Sequence, residues 1–281
     1  MTGDTAYTAR DVGAVFESIA PIGSGVAGDE LGFVHGDPDV RVSTLACLWQ
    51  VESRSIRLAA ACGAKMLICH ESIWLPRQTS SWYDGPDAAG IHANAARRRL
   101  LDEHQLVVYR SHSNWDALPV DGVPDQAVAA LGIAGLEIAA DQRFFKVHRL
   151  PRPESVAELG RRAADGLAFP HVRVFGDAGK RVTRFAFLIG GFGENQYHMP
   201  QAAMELGAEA IVIGEMSEFI VVAALEMGMP VIETLHSISE MPAIRRQAEI
   251  LGQRLPGLPV YFVPSGAHAM TTGATAVRVS G

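Results

Sequence analysis

The segment AAACGAKMLICHE, residues 59–71, aligns without gaps on AMELGAEAIVIGE, residues 203–215. Each copy reads as the end of a helix, a Gly-Ala turn, a buried strand and an acidic residue where the strand ends. Glu71 in the first copy therefore matches Glu215 in the second. An internal repeat of this kind predicts two αβ units of the same design in one chain. The alternative is chance similarity, because a helix followed by a Gly-Ala turn and a strand is a common local pattern.

A second pair of segments supports the repeat. VVYRSHSNWD, residues 107–116, aligns without gaps on VIETLHSISE, residues 231–240, and both copies read H-S-x-x-[DE] after a strand. His112 matches His236, and Asp116 matches Glu240. We expect the two repeats to pack as a pseudo-symmetric pair or as two lobes that face a shared cleft.

Strand-like and helical stretches alternate along the chain, which predicts an α/β protein with mixed sheets covered by helices. The predicted strands are 42–48, 65–69, 105–109, 184–189, 210–213, 231–233 and 260–263. The predicted helices are 54–62, 91–103, 155–166, 200–206, 218–227 and 242–255. Glycine- and proline-rich stretches at 21–37 and 82–90 read as surface loops. We expect a first α/β lobe over residues 1–130, a second lobe over 131–256, and a segment 257–281 that packs back on the first, with a metal cleft between the lobes.

Composition narrows the class of protein. The chain has 281 residues, 48% of them hydrophobic, and a net charge of −7, so it can bury a large core. It has no basic run to neutralise a nucleic-acid backbone. Its first 20 residues show no basic segment followed by an apolar core, and no run reaches roughly 20 apolar residues. We therefore expect a soluble cytoplasmic protein that binds neither nucleic acid nor membranes. Cys47, Cys62 and Cys69 form no CxxC pair and read as buried, reduced thiols.

Three histidines and three carboxylates follow predicted strands, where ligands bind in open α/β sheets. They come in three pairs: His70 with Glu71, His112 with Asp116, and His236 with Glu240. Imidazole and carboxylate ligands together suit Zn, Mn or Fe. Three carboxylates in one cleft would raise one another's pKa values, whereas divalent cations compensate their charge. The sequence therefore predicts a site for two metal ions.

Other polar and aromatic residues are weaker candidates. Six histidines are expected at the surface: His35, His92, His104, His148, His171 and His198. His268 follows the strand VYFV and stays a candidate for the site. The turn IGGFGEN at 189–195 lacks the Lys and Ser/Thr of a P-loop, so a structural turn is the preferred interpretation. Three aromatic residues after Glu71 either wall a substrate pocket or pack as ordinary loop residues: Trp74, Trp82 and Tyr83.

Four segments, in this order, resemble the NIF-three-like family, whose members have a dinuclear metal centre and often carry the name GTP cyclohydrolase I type 2. They are GAKMLICHESIW (63–74), VVYRSHSNWDALPVDGVPDQAVAALGI (107–133), ELGAEAIVIGEMSE (205–218) and PVIETLHSISE (230–240). The resemblance covers nearly the full length. It implies a two-lobed α/β subunit and a toroidal homohexamer whose metal sites face the cavity. It also implies two ions held by residues matching the family ligands: His70, Asp116, His236 and Glu240.

The chain departs from the family pattern at three positions. Glu71 stands where the family has the second residue of a His-His pair. This makes the site harder, which favours Mn or Fe over Zn or weakens one of the two sites. Trp49 stands where the family often has Asp, and Leu235 stands where it has Gly before the histidine. The substrate of better-known members therefore does not transfer safely.

Two functions fit these observations. The first is a divalent-metal-dependent hydrolase of a small polar substrate, such as a heterocycle, amide or ester, in which two ions (Mn, Fe or Zn) activate water. The predicted metal ligands are His70, Glu71, Asp116, His236 and Glu240. The predicted catalytic residues are His112, as a proton shuttle, and Glu71. The second function is a non-catalytic metal-binding, metal-delivery or regulatory homohexamer. An α/β protein without metal is the remaining alternative.

Overall fold

A computed structural model of the chain describes residues 7–193 and 196–266. Five strands form the first sheet: β1 (Gly32–His35), β2 (Leu45–Leu48), β3 (Met66–Cys69), β6 (Val107–Arg110) and β13 (Val260–Phe262). They lie in the order β1, β6, β3, β2, β13. β1 runs antiparallel to β6, and the other neighbours are parallel. His268 lies outside the described residues.

Both faces of the first sheet are buried, as expected of a largely parallel sheet. Alternate residues of β3 enter different cores: Met66 and Ile68 on one face, Leu67 and Cys69 on the other. Helix α1 (Ala9–Glu17) covers the first face, and α2 (Ser53–Ala61) and α3 (His92–Glu103) cover the second. A capping box between Thr8 and Asp11 fixes the start of α1.

Six strands form the second sheet: β7 (Glu137–Gln142), β8 (Phe145–Ser155), β9 (Arg173–Phe175), β10 (Arg181–Phe192), β11 (Ile211–Met216) and β12 (Val231–Glu233). Their order is β7, β8, β10, β11, β12, β9. Helices α5 (Val123–Ala130) and α6 (Val156–Gly166) pack on one face, and α7 (His198–Glu205) and α8 (Glu218–Glu226) pack on the other.

The predicted repeat corresponds to three parallel strands in each sheet. β2, β3 and β6 are neighbours in the first sheet, and β10, β11 and β12 are neighbours in the second. The predicted α/β fold, with mixed sheets and repeated αβ units, is confirmed. The carboxyl ends of these two sets of strands carry the candidate site.

Both H-S-x-x-[DE] segments begin helices. α4 (Ser113–Asp116) follows β6, and α9 (His236–Arg254) follows β12. The helix predicted at 242–255 begins six residues too late, since α9 starts at His236 and Pro242 lies inside it. The earlier start places His236 and Glu240 one turn apart on one face of α9. This helix contacts strands of both sheets.

Several other expectations need correction. The predicted loops at 21–37 and 82–90 contain β1 and part of a small hairpin, β4 (Thr79–Ser80) and β5 (Tyr83–Asp84). His148, expected at the surface, is buried and stacks on Phe185 with ring centroids 5.5 Å apart. Cys62 is exposed, whereas Cys47 and Cys69 are buried. No helix within 7–193 or 196–266 combines the length and apolar character needed to cross a bilayer.

Candidate metal centre

His70 lies at the carboxyl end of β3, and hydrogen bonds fix its orientation. The backbone N–H groups of His70 and Glu71 donate to the carbonyl of Trp49 at 3.1 and 2.8 Å, which holds this turn against the end of β2. Nδ1 of the His70 ring lies 3.0 Å from the Ser111 carbonyl oxygen, to which it can only donate. Nε2 is therefore the nitrogen that points into the site, as in a histidine oriented for a metal.

Asp116 faces His70 from the end of α4. Its Oδ1 lies 3.3 Å from His70 Nε2, and both side chains are almost fully buried. Neither atom makes a well-oriented hydrogen bond with any described residue. A buried carboxylate oxygen and imidazole nitrogen are rarely left in this way without a ligand, because desolvation is then uncompensated. This pair fits a metal ion.

Glu240 connects two groups of donor atoms. Its Oε2 lies 3.4 Å from His70 Nε2, and its Oε1 lies 3.3 Å from His236 Nε2. Glu71 Oε1 also lies 3.3 Å from His236 Nε2. The five predicted ligands thus form two groups, His70 with Asp116 and His236 with Glu71, which share Glu240. This is the arrangement expected of a bridging carboxylate between two ions.

The repeat also explains the second acid at His236. Glu215, the counterpart of Glu71, places Oε1 3.1 Å from His236 Nδ1, while Glu71 approaches Nε2 of the same ring. A carboxylate on the far nitrogen orients a metal-binding histidine and raises its basicity. The alignment matched Glu215 to Glu71 but did not place Glu215 in the site.

The charges in this cluster shift the pKa values of both histidines upward. Burial lowers the pKa of His70, but the carboxylates of Asp116 and Glu240 outweigh it and raise the value to about 9. Burial likewise opposes protonation of His236, but hydrogen bonds to Glu215 and Glu240 raise its pKa to about 10. The hydrogen bond from His236 lowers the pKa of Glu215. In the metal-free protein, protons therefore take the place of the cations that this acidic cluster attracts.

His112 is linked to a residue that the sequence analysis missed. Its Nδ1 lies 2.9 Å from Asp29 Oδ2, and the same oxygen accepts hydrogen bonds from the backbone N–H and hydroxyl of Ser113. Arg110 binds the other oxygen of Asp29 at 2.5 Å. Burial opposes ionisation of Asp29, but these donors together lower its pKa well below the usual range. A ring nitrogen of His112 lies within 4.8 Å of ligand atoms of His70 and Asp116.

Trp49 contacts the shared carboxylate directly. Its indole N–H donates to Glu240 Oε2 at 2.6 Å, and its ring meets His236 edge-on at 5.3 Å between centroids. This hydrogen bond fixes the Glu240 carboxylate and withdraws part of its negative charge. The departure at position 49 therefore bears on the metal site itself.

The glycine-rich end of β10 makes room for these side chains. A Cβ at Gly190 would lie 2.6 Å from Glu240 Oε1 and 2.7 Å from His236 Nε2. At Gly191 it would lie 2.8 Å from Glu215 Oε1 and from His236 Nδ1. The described start of the predicted turn at 189–195 is the end of β10, and its glycines permit close approach of the backbone to the site.

A cleft of about 300 Å³ opens beside the centre. Asp116, His236 and Glu240 line one side of it together with His112. Its apolar lining is Val26, Phe144, Ile189, Phe192 and Met199. The aromatic wall considered for the 74–90 loop is absent among these lining residues: Trp82 is 85% exposed, and Trp74 packs on His35.

Comparison with known proteins identifies the family. Residues 7–267 match the model of the Duf34/NIF3 (NGG1p interacting factor 3) family. The chain belongs to this family. The resemblance seen in the sequence is thereby confirmed.

Curated relatives and solved structures agree with this Duf34/NIF3 membership. A GTP cyclohydrolase 1 type 2 homolog of Clostridium perfringens is 22% identical over 254 residues, 88% of this chain and 92% of the relative. A homolog of the same name from Clostridium acetobutylicum is 24% identical over 245 residues, 84% and 86% of the two chains. The crystal structure of a Bacillus cereus protein related to NIF3 superposes with a TM-score of 0.78 at 15% identity, covering 96% of this chain and 100% of that one. The fold of this chain is thus that of NIF3 proteins.

Leu235, the departure from the Duf34/NIF3 pattern just before His236, has a strained backbone. Its φ of 88° and ψ of 134° lie in a region that L-residues rarely adopt. Glycine at an ordinary position is about 0.5–1 kcal/mol less stable than alanine. At position 235 we expect the reverse, with Leu235→Gly about 1 kcal/mol more stable than Leu235→Ala, because only glycine relieves the strain. Urea unfolding of the two variants measures the difference. A more stable alanine variant would show that position 235 is unstrained.

Proposed function

We propose that this protein is a divalent-metal-dependent hydrolase of a small polar substrate, a heterocycle, an amide or an ester. The observation that supports the proposal is the position of His112. Its ring lies beside His70 and Asp116, and it lines the same cleft as three predicted ligands: Asp116, His236 and Glu240. A purely structural metal site is closed by protein ligands, whereas a catalytic one opens to a pocket.

The donor atoms assign residues to each ion. His70, Asp116 and one oxygen of Glu240 would hold the first ion, and His236, Glu71 and the other oxygen would hold the second. Bound divalent ions would supply Lewis acidity and a nucleophilic water at neutral pH. Imidazole nitrogens and carboxylate oxygens fit Mn, Fe or Zn. Glu71 increases the negative charge of the second group, which favours the harder ions among them.

His112 is the residue placed to move a proton. Asp29 accepts the hydrogen on Nδ1, which fixes the tautomer and leaves Nε2 as the basic nitrogen. The ring is partly exposed toward the cleft, so a bound substrate can reach it. Asp29 is itself held by Arg110 and Ser113 and keeps its charge. A His-Asp pair of this kind suits general acid–base catalysis.

The test is turnover by metal-reconstituted protein on a panel of hydrolysable heterocycles, amides and esters that includes GTP, the compound in the relatives' name. We expect His112→Ala to lower kcat about 10²–10⁴-fold while metal content stays unchanged. Asp29→Asn, which keeps the shape of the side chain, should lower kcat less and shift its pH profile. Loss of metal in His112→Ala would make His112 a ligand instead of a base.

A non-catalytic metal-binding, metal-delivery or regulatory protein is the second candidate. Burial of His70, Asp116 and Glu240 to at least 97% favours it, since a deeply enclosed ion exchanges slowly. Turnover on no member of the panel, by protein holding both ions, would support this function over hydrolysis. The toroidal homohexamer stays a prediction under either function, and sedimentation equilibrium measures it.

A further inference from the structure

A second cleft, of about 390 Å³, lies toward the other end of the second sheet. β8, the start of β10 and the turn before β11 line it, and three arginines surround it: Arg149, Arg152 and Arg184. Arg184 lies six residues before Gly190 on β10. At about 3.3 Å per residue, this separates the cleft from the metal centre by roughly 20 Å along the strand.

A bulge in β8 shapes the cleft. Val182 pairs with Glu154 and Arg184 pairs with Arg149, so residues 150–153 stand opposite Thr183 alone. The bulge reads Leu-Pro-Arg-Pro, and its two prolines have no N–H to offer the ladder. Bulges re-aim side chains and recur beside binding sites. Here the bulge carries Arg152, which lines the cleft together with Arg149 and Arg184.

The three arginines form no ion pair with a described residue, although acids lie nearby: Arg149 stands opposite Glu137 of β7, and Arg152 borders a neighbouring cleft that Glu154, Glu158 and Asp165 line. Within residues 7–193 and 196–266, none of their guanidinium groups makes a hydrogen bond or an ion pair. Arg149 and Arg184 stand directly opposite each other in an antiparallel pair, where like charges destabilise a sheet. Nearby arginines on the same surface are paired: Arg162 with Glu154 at 2.7 Å and Arg181 with Glu158 at 3.4 Å.

Glu209, the one carboxylate among the described residues that line the cleft, already has other partners. Oε2 of Glu209 accepts the backbone N–H and the hydroxyl of Thr183 and the backbone N–H of Arg184. These donors lower the pKa of Glu209 despite its burial. Three guanidinium groups against one carboxylate leave an excess of positive charge in a protein whose net charge is −7. The residues that line the cleft itself therefore carry a net positive charge.

We propose that this cleft binds the phosphate group of a small molecule. Guanidinium groups donate paired hydrogen bonds that match the geometry of phosphate oxygens. Arg184 is positioned for this because it packs on Gly207, where a Cβ would lie 2.8 Å from its Nη1. A phosphate bound between Arg149 and Arg184 attracts both positive charges and so compensates their mutual repulsion.

The experiment is calorimetric titration of metal-free protein with inorganic phosphate, pyrophosphate and ribose 5-phosphate at low salt. We expect Arg149→Gln, Arg152→Gln and Arg184→Gln each to raise Kd about tenfold or more. Arg99→Gln, an exposed residue of α3 with the same loss of charge, should change Kd less than about twofold. Ribose 5-phosphate binding at least as tightly as inorganic phosphate would identify a phosphorylated metabolite as the ligand class, and the reverse order would identify the free anion.

Thermal melting separates binding from folding. Without phosphate, Arg184→Gln should melt no lower than the unsubstituted protein, because it removes the like-charge pair with Arg149 and leaves Glu137 opposite Arg149. With phosphate, only the unsubstituted protein and Arg99→Gln should gain stability. Equal Kd values for the cleft variants and Arg99→Gln would overturn the proposal, as would the lack of saturable binding up to about 10 mM.

Discussion

Alanine at Glu240 is expected to remove both metal ions, whereas alanine at Glu71 removes one. The two oxygens of Glu240 lie 3.4 and 3.3 Å from the Nε2 atoms of His70 and His236, so each group of donors depends on this carboxylate. Glu71 makes its 3.3 Å contact with His236, whereas it lies only within 4.8 Å of a ring nitrogen of His70. Elemental analysis of protein purified without added metal or chelator should give about two ions per chain. The value should fall to near zero in Glu240→Ala and to about one in Glu71→Ala.

The controls for this prediction lie on the same chain. Glu226→Ala, at the exposed end of α8, removes one carboxylate away from the site and should leave metal content unchanged. Circular dichroism should report an intact fold in Glu240→Ala, because Asp116, Glu71 and Glu215 still face the two histidines. Glu71→His restores the family's histidine pair. If the unsubstituted protein holds one ion and Glu71→His holds two, Glu71 has weakened the second group. Two ions retained in Glu240→Ala would rule out a shared ligand.

The strand ends explain why so much of the centre was visible in the sequence. Parallel strands β3 and β6 end at one edge of the first sheet, and β11 and β12 end at one edge of the second. Residues just after such strands converge whatever the loops do. The repeat matched two of the three pairs, His112 with Asp116 and His236 with Glu240, and the strand end alone indicated His70 with Glu71. The location of these site residues follows from the sheet topology. That topology is predictable because buried strands rich in β-branched residues are recognisable in the sequence.

Contacts from outside those strand ends were not predictable. Asp29 lies in a glycine-rich stretch that reads as a loop, and nothing local to it points to His112, 83 residues away. Trp49 was noted only as a departure, because its hydrogen bond to Glu240 spans 191 residues. The antiparallel strands β7 and β8 were also not predicted. β7 is an edge strand with mostly exposed side chains, and β8 carries two prolines, so neither shows the alternation of a half-buried strand.

Protons and metal ions compete for the same two histidines, His70 and His236. We therefore expect the unfolding free energy of the metal-free protein to fall as the pH rises, and the affinity for metal to increase. The pKa values of His70 and His236, about 9 and 10, lie above the value of about 6.5 in an unfolded chain. Their contribution to stability is therefore complete below pH 6.5 and is lost as the pH rises through 9 and 10. Metal-free protein should lose at least ~1 kcal/mol of unfolding free energy between pH 6.5 and pH 10, since one pKa unit corresponds to that amount. His148, whose burial lowers its pKa to about 4, acts only below this window.

Metal binding has the opposite pH dependence and becomes more favourable as the pH rises, because each ion must displace a proton from an imidazole. At pH 7.5 we expect the release of about two protons per chain on saturation, measured by calorimetry in two buffers of different ionisation enthalpy. Affinity should rise with pH up to the pKa of His236. His236→Gln should halve the proton release, while His92→Gln, on the exposed start of α3, should leave it unchanged. Metal binding without proton release would mean that the two imidazoles are neutral before the ions arrive, and that the acidic cluster holds its charge in some way other than by protonated histidines.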